Sequence, residues 1–145
     1  MNKGQLLNIW GRKEWGGPMS SFADAVLEAG KGMREDVSFG SKRQITIIAE
    51  EVWDSVMNQL DSDLPPETRR ANLLVRGISL KETKGKILQL GKCRLEIIGE
   101  TEPCDLMDKK LPGLKNALKP DWNGGVFGIV LDSGTLSVGD PVYWL

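Results

Sequence analysis

The sequence predicts a mainly β fold, a barrel or sandwich with a few short helices. Seventeen glycines occur in 145 residues, between short apolar segments, and each glycine costs a helix interior about 1 kcal/mol relative to alanine. The second half of the chain contains several short apolar runs bounded by Gly, Asp or Ser, a spacing typical of such sheets. The chain has no internal repeat or long linker, and its length suits one domain. We therefore expect residues 1–145 to form a single domain.

The first part of the chain contains one clear element. Residues 5–10 predict a strand that is bounded by glycines on both sides. Residues 16–21 predict a loop, because paired glycines and Pro18 interrupt regular structure. Residues 22–33 fit either a short helix or a strand, and their periodicity does not choose between the two.

The clearest signals lie in the middle of the chain. Residues 44–49 are rich in β-branched side chains and predict a strand. Residues 50–60 place apolar side chains at helical spacing and begin with two glutamates, which favour the positive end of the helix dipole. This helix must end before Pro65 and Pro66, because proline cannot continue it.

The rest of the chain predicts strands with one helical interruption. Residues 104–122 predict one or two short helices, divided at Pro112 and Gly113. The Asp-Ser-Gly turn at residues 132–134 predicts a β-hairpin between the last two strands. The predicted strands are residues 72–80, 86–90, 93–100, 126–132 and 135–144.

Composition argues against several classes of function. Nineteen basic and 20 acidic residues leave a net charge of −1, so we expect no nucleic-acid or membrane partner. No apolar run approaches the ~20 residues that a membrane-spanning helix needs, and polar residues interrupt the start of the chain where a signal peptide is apolar. We therefore expect a cytoplasmic protein with reduced thiols. The absence of histidine removes the commonest general base and transition-metal ligand.

The two cysteines lie in different sequence environments. Cys93 alternates with Leu95 and Ile97 on one face of a predicted strand, which indicates a small buried side chain. Cys104 follows a proline where a strand passes into a helix or turn, and free helix N–H groups there favour a thiolate. Acidic neighbours oppose that effect, so the residues alone leave Cys104 open between a structural and a functional role. We expect no disulfide between the two cysteines in the cytoplasm.

A set of cationic residues and one asparagine lies before or within two of the predicted strands. The guanidinium group matches the geometry of a phosphate or another oxyanion, so the set is a candidate anion site. The alternative is a solvated rim of charges. The set comprises Lys42, Arg43, Arg69, Arg70, Asn72 and Arg76.

Six segments, in their order along the chain, resemble the MOSC domain, a module named for the C-terminal part of molybdenum cofactor sulfurases. They cover nearly the whole chain from about Gly30 onward. One is the pair Pro103 and Cys104, which falls where the family has its characteristic cysteine. The other five are AGKGMREDV (29–37), RQITIIAEE (43–51), RANLLVRGISL (70–80), GKILQLGKCRLEIIGE (85–100) and GGVFGIVLDSGTLSVGDPV (124–142).

The resemblance implies a β-barrel-like MOSC fold and an association with the molybdenum cofactor. It implies that Cys104 is the catalytic residue, which either ligates molybdenum or carries the cofactor's sulfur, because a thiolate suits both roles. Arg70 and Asn72 match the anion-binding strand of the family and are expected to hold the pterin phosphate. Asp36 and Arg43 lie in two further matching segments, and we expect them to contribute to cofactor binding.

Three functions are compatible with the resemblance. The first is a MOSC module that binds the molybdenum cofactor or carries its sulfur, together with a partner such as a molybdoenzyme or a cysteine desulfurase. The second is a molybdenum-dependent reductase of N-hydroxylated compounds that receives electrons from a separate electron-donor protein. The third is a β-barrel interaction protein without catalytic activity. Pyridoxal phosphate belongs to two-domain relatives and is not expected in this chain.

Overall fold

The computed structural model describes residues 3–145, which form eleven β-strands and three α-helices. Short 3-10 helices at Pro66–Arg69 and Pro120–Trp122 complete the regular structure. The helices are α1 (Glu50–Gln59), α2 (Leu106–Lys110) and α3 (Leu114–Leu118). The strands are β1 (Gly4–Gly11), β2 (Ser20–Phe22), β3 (Asp24–Glu28), β4 (Gly32–Met33), β5 (Ile45–Ala49), β6 (Leu73–Arg76), β7 (Ile87–Leu90), β8 (Cys93–Glu100), β9 (Val126–Val130), β10 (Gly134–Ser137) and β11 (Pro141–Trp144).

Seven of the strands within residues 3–145 close into a barrel in the order β11-β7-β8-β9-β5-β6-β1, with β1 paired back to β11. β1 closes the barrel because it pairs with β6 along one edge and with β11 and then β2 along the other. The β5–β6 pair is parallel, and the other neighbouring pairs in the barrel are antiparallel. A second sheet has the order β10-β3-β4. The predicted β-barrel fold is therefore confirmed.

The barrel interior is apolar because alternate residues of each strand point into it. Ile45 and Ile47 of β5 and Leu95 and Ile97 of β8 are fully buried in one cluster. Cys93 belongs to the same cluster and is 0% exposed, as its alternation with Leu95 and Ile97 predicts.

The three helices form a second apolar cluster that covers part of the barrel. Trp53 and Met57 of α1 pack with Met107 of α2 and Leu114 of α3. The indole nitrogen of Trp53 donates to the carbonyl oxygen of Leu64 at 2.9 Å, which fixes the chain after α1. This cluster holds the segment after β8 in place beside the barrel. Across residues 3–145, no helix is both long and apolar enough to cross a membrane.

Several local predictions are confirmed. The strand predicted over 44–49 and the helix over 50–60 correspond to β5 and α1, and the region 104–122 contains two short α-helices on either side of Pro112 and Gly113. The ambiguous residues 22–33 form β3 and β4 rather than a helix. The loop predicted over 16–21 is wrong at its end, because Ser20 and Ser21 pair with the last residues of β1.

The predicted hairpin at residues 132–134 is wrong. β9 pairs with β5 and β8, whereas β10 leaves the barrel sheet and pairs with β3. The run 135–144 is two strands, divided by a turn in which the Ser137 N–H donates to the Asp140 carboxylate at 2.9 Å. The strand predicted over 72–80 also ends early, because Gly77 adopts a left-handed φ of +83°.

Candidate functional site

A cavity of about 230 Å³ lies where the end of β1, the segments before β5, β6 and β9, and the segment after β8 meet. Among residues 3–145, four arginines and a single carboxylate line it. We call it the arginine cavity. Its arginines are Arg12, Arg43, Arg69 and Arg70, and its carboxylate is Asp36.

The arginine cavity brings together the five residues that the sequence singles out as site residues. Cys104, Arg70, Asn72, Asp36 and Arg43 all line it, although they come from four separate segments of the chain. Other members of the predicted cationic set lie elsewhere. Arg76 is exposed and donates to the side-chain oxygen of Gln5 at 2.9 Å, and Lys42 is exposed.

Arg69 is the buried cation of the cavity, with 8% of its surface exposed. Its Nε donates to the carbonyl oxygen of Gly124 at 3.2 Å, and its Nη2 donates to that of Thr101 at 3.1 Å. Burial lowers the pKa of Arg69; a negative charge on Cys104 raises it, and the nearby Arg43 lowers it. Arg69 is therefore fixed in place, close to Cys104, in a setting that disfavours its charge.

Arg70 also lines the cavity, and its backbone has an uncommon conformation. Its φ is +65°, in the left-handed region that side chains disfavour. Its Nη2 donates to the carbonyl oxygen of Gly17 at 2.5 Å. Burial lowers the pKa of Arg70, and the nearby charge of Arg12 lowers it further. A bound anion would relieve this repulsion between two guanidinium groups.

Arg12 lies just after β1 and packs against an aromatic ring. Its guanidinium carbon is 4.9 Å from the centre of the Trp15 ring, within the range of a cation–π contact. Trp15 is 64% exposed and also lines the cavity. The Nε of Arg12 is buried and has no hydrogen-bond partner within the described part of the chain.

Asp36 is a buried carboxylate that organises the segment around Arg12. Its Oδ1 accepts from the backbone N–H of Arg12 at 3.0 Å, and its Oδ2 accepts from the N–H of Ser38 at 3.1 Å. The hydroxyl of Ser38 contacts the same carboxylate. These contacts show how Asp36 positions the wall of the cavity, and direct cofactor binding by Asp36 stays a prediction.

Asn72 ties three strands of the barrel together at the cavity wall. Its Oδ1 accepts from the backbone N–H of Thr46 at 2.9 Å, and its Nδ2 donates to the carbonyl oxygen of Trp10 at 3.2 Å. The side chain of Asn72 therefore has a positioning role, and its contact with a phosphate stays a prediction. Arg43 is exposed, and its guanidinium carbon lies 5.0 Å from the centre of the Phe127 ring.

Cys104 is exposed on the segment between β8 and α2. Its carbonyl oxygen accepts from the N–H of Met107 at 3.0 Å, which starts the short helix α2. The acidic neighbour Asp105 forms an ion pair with Lys115 at 2.5 Å, and this hydrogen bond lowers the pKa of Asp105. The same hydrogen bond raises the pKa of Lys115, and a negative charge on Cys104 adds to this effect. The charges around Cys104 are therefore more balanced than the acidic sequence suggests.

Some residues of the cavity are not singled out by the sequence. Thr101 lines the cavity, and its buried hydroxyl has no hydrogen-bond partner among residues 3–145. Arg12 and Trp15 approach the site from the loop after β1, which carries no motif. The position of Thr101 directly before the Glu-Pro-Cys sequence was the one available signal.

The MOSC domain matches residues 34–143 of the 145-residue chain. The chain belongs to the MOSC domain family. The cavity residues from Asp36 to Gly124 lie inside this match, whereas Arg12 and Trp15 precede it. The family is associated with molybdenum cofactor chemistry, as the sequence resemblance implies.

Solved structures share the fold at low sequence identity. The YuaD protein of Bacillus subtilis superposes with a TM-score of 0.77 at 21% identity, over 97% of this chain and 93% of that one. YiiM of Geobacillus stearothermophilus gives a TM-score of 0.75 at 15% identity, over 98% and 75% of the two chains. YiiM of Escherichia coli gives 0.72 at 14% identity, over 100% and 70%. No curated protein has a significant sequence match to this chain.

Proposed function

We propose that this MOSC domain binds the molybdenum cofactor, with Cys104 as the protein ligand of the metal and the arginine cavity around the cofactor's phosphate. One observation carries the proposal. Among residues 3–145, a single cavity combines an exposed cysteine, four arginines and one carboxylate that backbone N–H groups already occupy. This excess of positive charge suits a phosphorylated ligand.

The donors of the cavity fit such a ligand. The buried Nε of Arg12 lacks an acceptor within residues 3–145, and a phosphate oxygen supplies one. Arg70 faces the charge of Arg12, so a phosphate between them would offset the repulsion. The thiolate of Cys104 is a soft ligand of the kind that molybdenum accepts. When bound, the cofactor would supply a metal centre able to change its oxidation state.

The chain's own residues define the remaining roles. Asp36 and Asn72 position the cavity walls through the hydrogen bonds described above, and Arg43 adds an exposed cation to the lining. No cluster of three or more metal-ligating side chains is found in residues 3–145. Cys104 would therefore hold the metal as the one protein ligand, with the cofactor supplying the other donor atoms.

Metal analysis tests the proposal. We expect the wild-type protein, expressed in a molybdenum-replete host, to retain molybdenum in proportion to protein. Cys104→Ala should lose it, because the thiolate ligand is gone, whereas Cys93→Ala should keep it because Cys93 lies inside the barrel. Equal molybdenum in wild type and Cys104→Ala would overturn the assignment of Cys104.

A sulfur-carrier role is the second candidate, and the exposure of Cys104 favours it. A persulfide must be reached by the donor and by the acceptor, such as a cysteine desulfurase and a molybdoenzyme. Cyanide-labile sulfur on wild type and Cys93→Ala, but not on Cys104→Ala, would support this role. Reduction of an N-hydroxylated compound by the loaded protein with an artificial electron donor would instead support the reductase.

We also propose that the whole chain acts as one MOSC domain, including the residues before the family match. β1 lies outside that match, yet it closes the barrel by pairing with β6 and β11. Arg12 follows β1 directly and lines the arginine cavity. Both the barrel and the cavity therefore depend on this first segment.

A further inference from the structure

We propose that Thr101 and Arg69 form a subsite for an oxyanion beside Cys104 in the arginine cavity, distinct from the pair of Arg12 and Arg70. The subsite would hold an oxygen of a group that is bonded to, or reacts with, the Cys104 sulfur. This inference deepens the proposed function, since a group held by Cys104 would bring its oxygen to Thr101 and Arg69. A carboxylate or a sulfonate on a small thiol-reactive molecule would do the same.

The first line of support is the buried hydroxyl group of Thr101. Thr101 is 8% exposed and lines the cavity. Its backbone is already engaged, because its N–H donates to the carbonyl oxygen of Gly125 at 2.8 Å and its own carbonyl oxygen accepts from Arg69. Its Oγ1 is buried without a hydrogen-bond partner in the part of the chain that the structure describes. A buried hydroxyl without a partner destabilises the folded protein, so a ligand that bonds to it explains its presence.

The second line of support is the fixed position of the Arg69 guanidinium group. Arg69 is held by the carbonyl oxygens of Thr101 and Gly124, so its charge is fixed next to Thr101. No acidic side chain pairs with Arg69 among residues 3–145. A Cβ on Gly124 would lie 2.3 Å from the carbonyl oxygen of Thr101 and 3.3 Å from Nη2 of Arg69. Glycine at this position therefore permits the close approach that aligns the two groups.

The position of Cys104 completes the subsite. Cys104 follows Thr101 by three residues on the same segment and lines the same cavity. Arg69 and Thr101 line this cavity as well. An oxyanion attached to the sulfur would therefore share the cavity with a fixed cation and with the Thr101 hydroxyl.

Alkylation of Cys104 in the cofactor-free protein tests the subsite. The sulfur displaces iodide from iodoacetate or iodoacetamide: a carbon–sulfur bond forms, iodide leaves, and the thiol proton passes to solvent. The two reagents differ mainly in that iodoacetate carries a carboxylate. The ratio of their rate constants therefore measures how well the site holds an oxyanion next to the sulfur.

The decisive variant is Thr101→Val, which replaces the hydroxyl by a methyl group and leaves the net charge unchanged. We expect the iodoacetate-to-iodoacetamide ratio to fall about three- to tenfold, the effect of one hydrogen bond. Thr101→Ser should restore most of the ratio. Because no charge is altered, long-range electrostatics cannot produce this change. An unchanged ratio in Thr101→Val would overturn the proposal.

Thermal stability separates a ligand-binding role from a structural one. The hydroxyl has no partner within residues 3–145, so the melting temperature of Thr101→Val should equal that of the wild type or rise by about 2–4 °C. A clear fall in melting temperature would show that the hydroxyl supports the fold and would contradict the proposal. Cys104→Ser should show no labelling, because Cys93 is fully buried.

The alkylation ratio and the molybdenum content test two different claims, so one can fail while the other holds. If wild-type protein retains no molybdenum while the alkylation ratio falls in Thr101→Val, the oxyanion subsite is supported and the cofactor assignment is wrong. If molybdenum is retained through Cys104 while the ratio is unchanged, the cofactor assignment is supported and the subsite is wrong.

Discussion

The barrel interior and the arginine cavity place the two cysteines of this chain in opposite environments. Cys93 is fully buried among aliphatic side chains, and burial raises the pKa of its thiol. Cys104 is exposed beside four arginines that line one cavity of the described residues, 3–145. In the barrel interior, buried apolar side chains pack against one another. The arginine cavity contains repelling cations, a left-handed arginine and two buried polar atoms that lack partners within that same range.

The difference indicates what each region contributes. Apolar burial in the interior stabilises the fold at about 25 cal/mol per Å². Unpaired polar atoms and clustered like charges reduce stability, so their concentration at one cavity supports the proposal that a ligand completes the site. Substitutions in the interior should therefore affect mainly stability, and substitutions of the polar side chains in the cavity mainly binding.

The largest effect on stability is expected inside the barrel. Ile47 is fully buried in β5 between β6 and β9, so Ile47→Ala should lower the free energy of unfolding by about 2–5 kcal/mol. Urea denaturation measures this change. Ile98→Ala on β8 is the control, because Ile98 is only half-buried and should lose clearly less. Equal losses at the two positions would contradict the description of the interior.

A smaller effect is expected where the cavity meets the barrel. Gly124→Ala would force a Cβ to within 2.3 Å of the Thr101 carbonyl oxygen, so the free energy of unfolding should fall by about 1–3 kcal/mol. Gly99→Ala is the matched control, since its Cβ would be 3.6 Å from the nearest atom, on the Phe127 ring. Its effect should remain within about 0.5 kcal/mol. If the two variants unfold at the same urea concentration, the description of close packing around Gly124 is contradicted.

Local sequence patterns predicted the elements that depend on local interactions. The helical spacing after residue 50 and the β-branched run before it correspond to α1 and β5. The hairpin at 132–134 failed because β10 pairs with β3, more than a hundred residues earlier in the chain. A turn sequence indicates that the chain reverses, and does not indicate which strand lies beside the next one.

The candidate site was predictable only in part. Cys104 and Arg70 followed from the family resemblance, and the structure places both at one cavity. The unpaired atoms of Arg12 and Thr101 could not be predicted, because hydrogen-bond satisfaction depends on neighbours that are distant in the sequence. The left-handed backbone of Arg70 could not be predicted from the sequence either, because its conformation is set by the turn that precedes β6.

The central claim is that the arginine cavity binds an anion, and calorimetric titration of the cofactor-free protein with inorganic phosphate tests it most directly. We expect Arg70→Ala to weaken binding about tenfold, the loss of one charge-assisted contact, without unfolding the protein. Arg76→Ala should leave the affinity unchanged, because Arg76 lies on β6 outside the cavity. Equal affinities for wild type and Arg70→Ala, or equal losses in both variants, would contradict the claim.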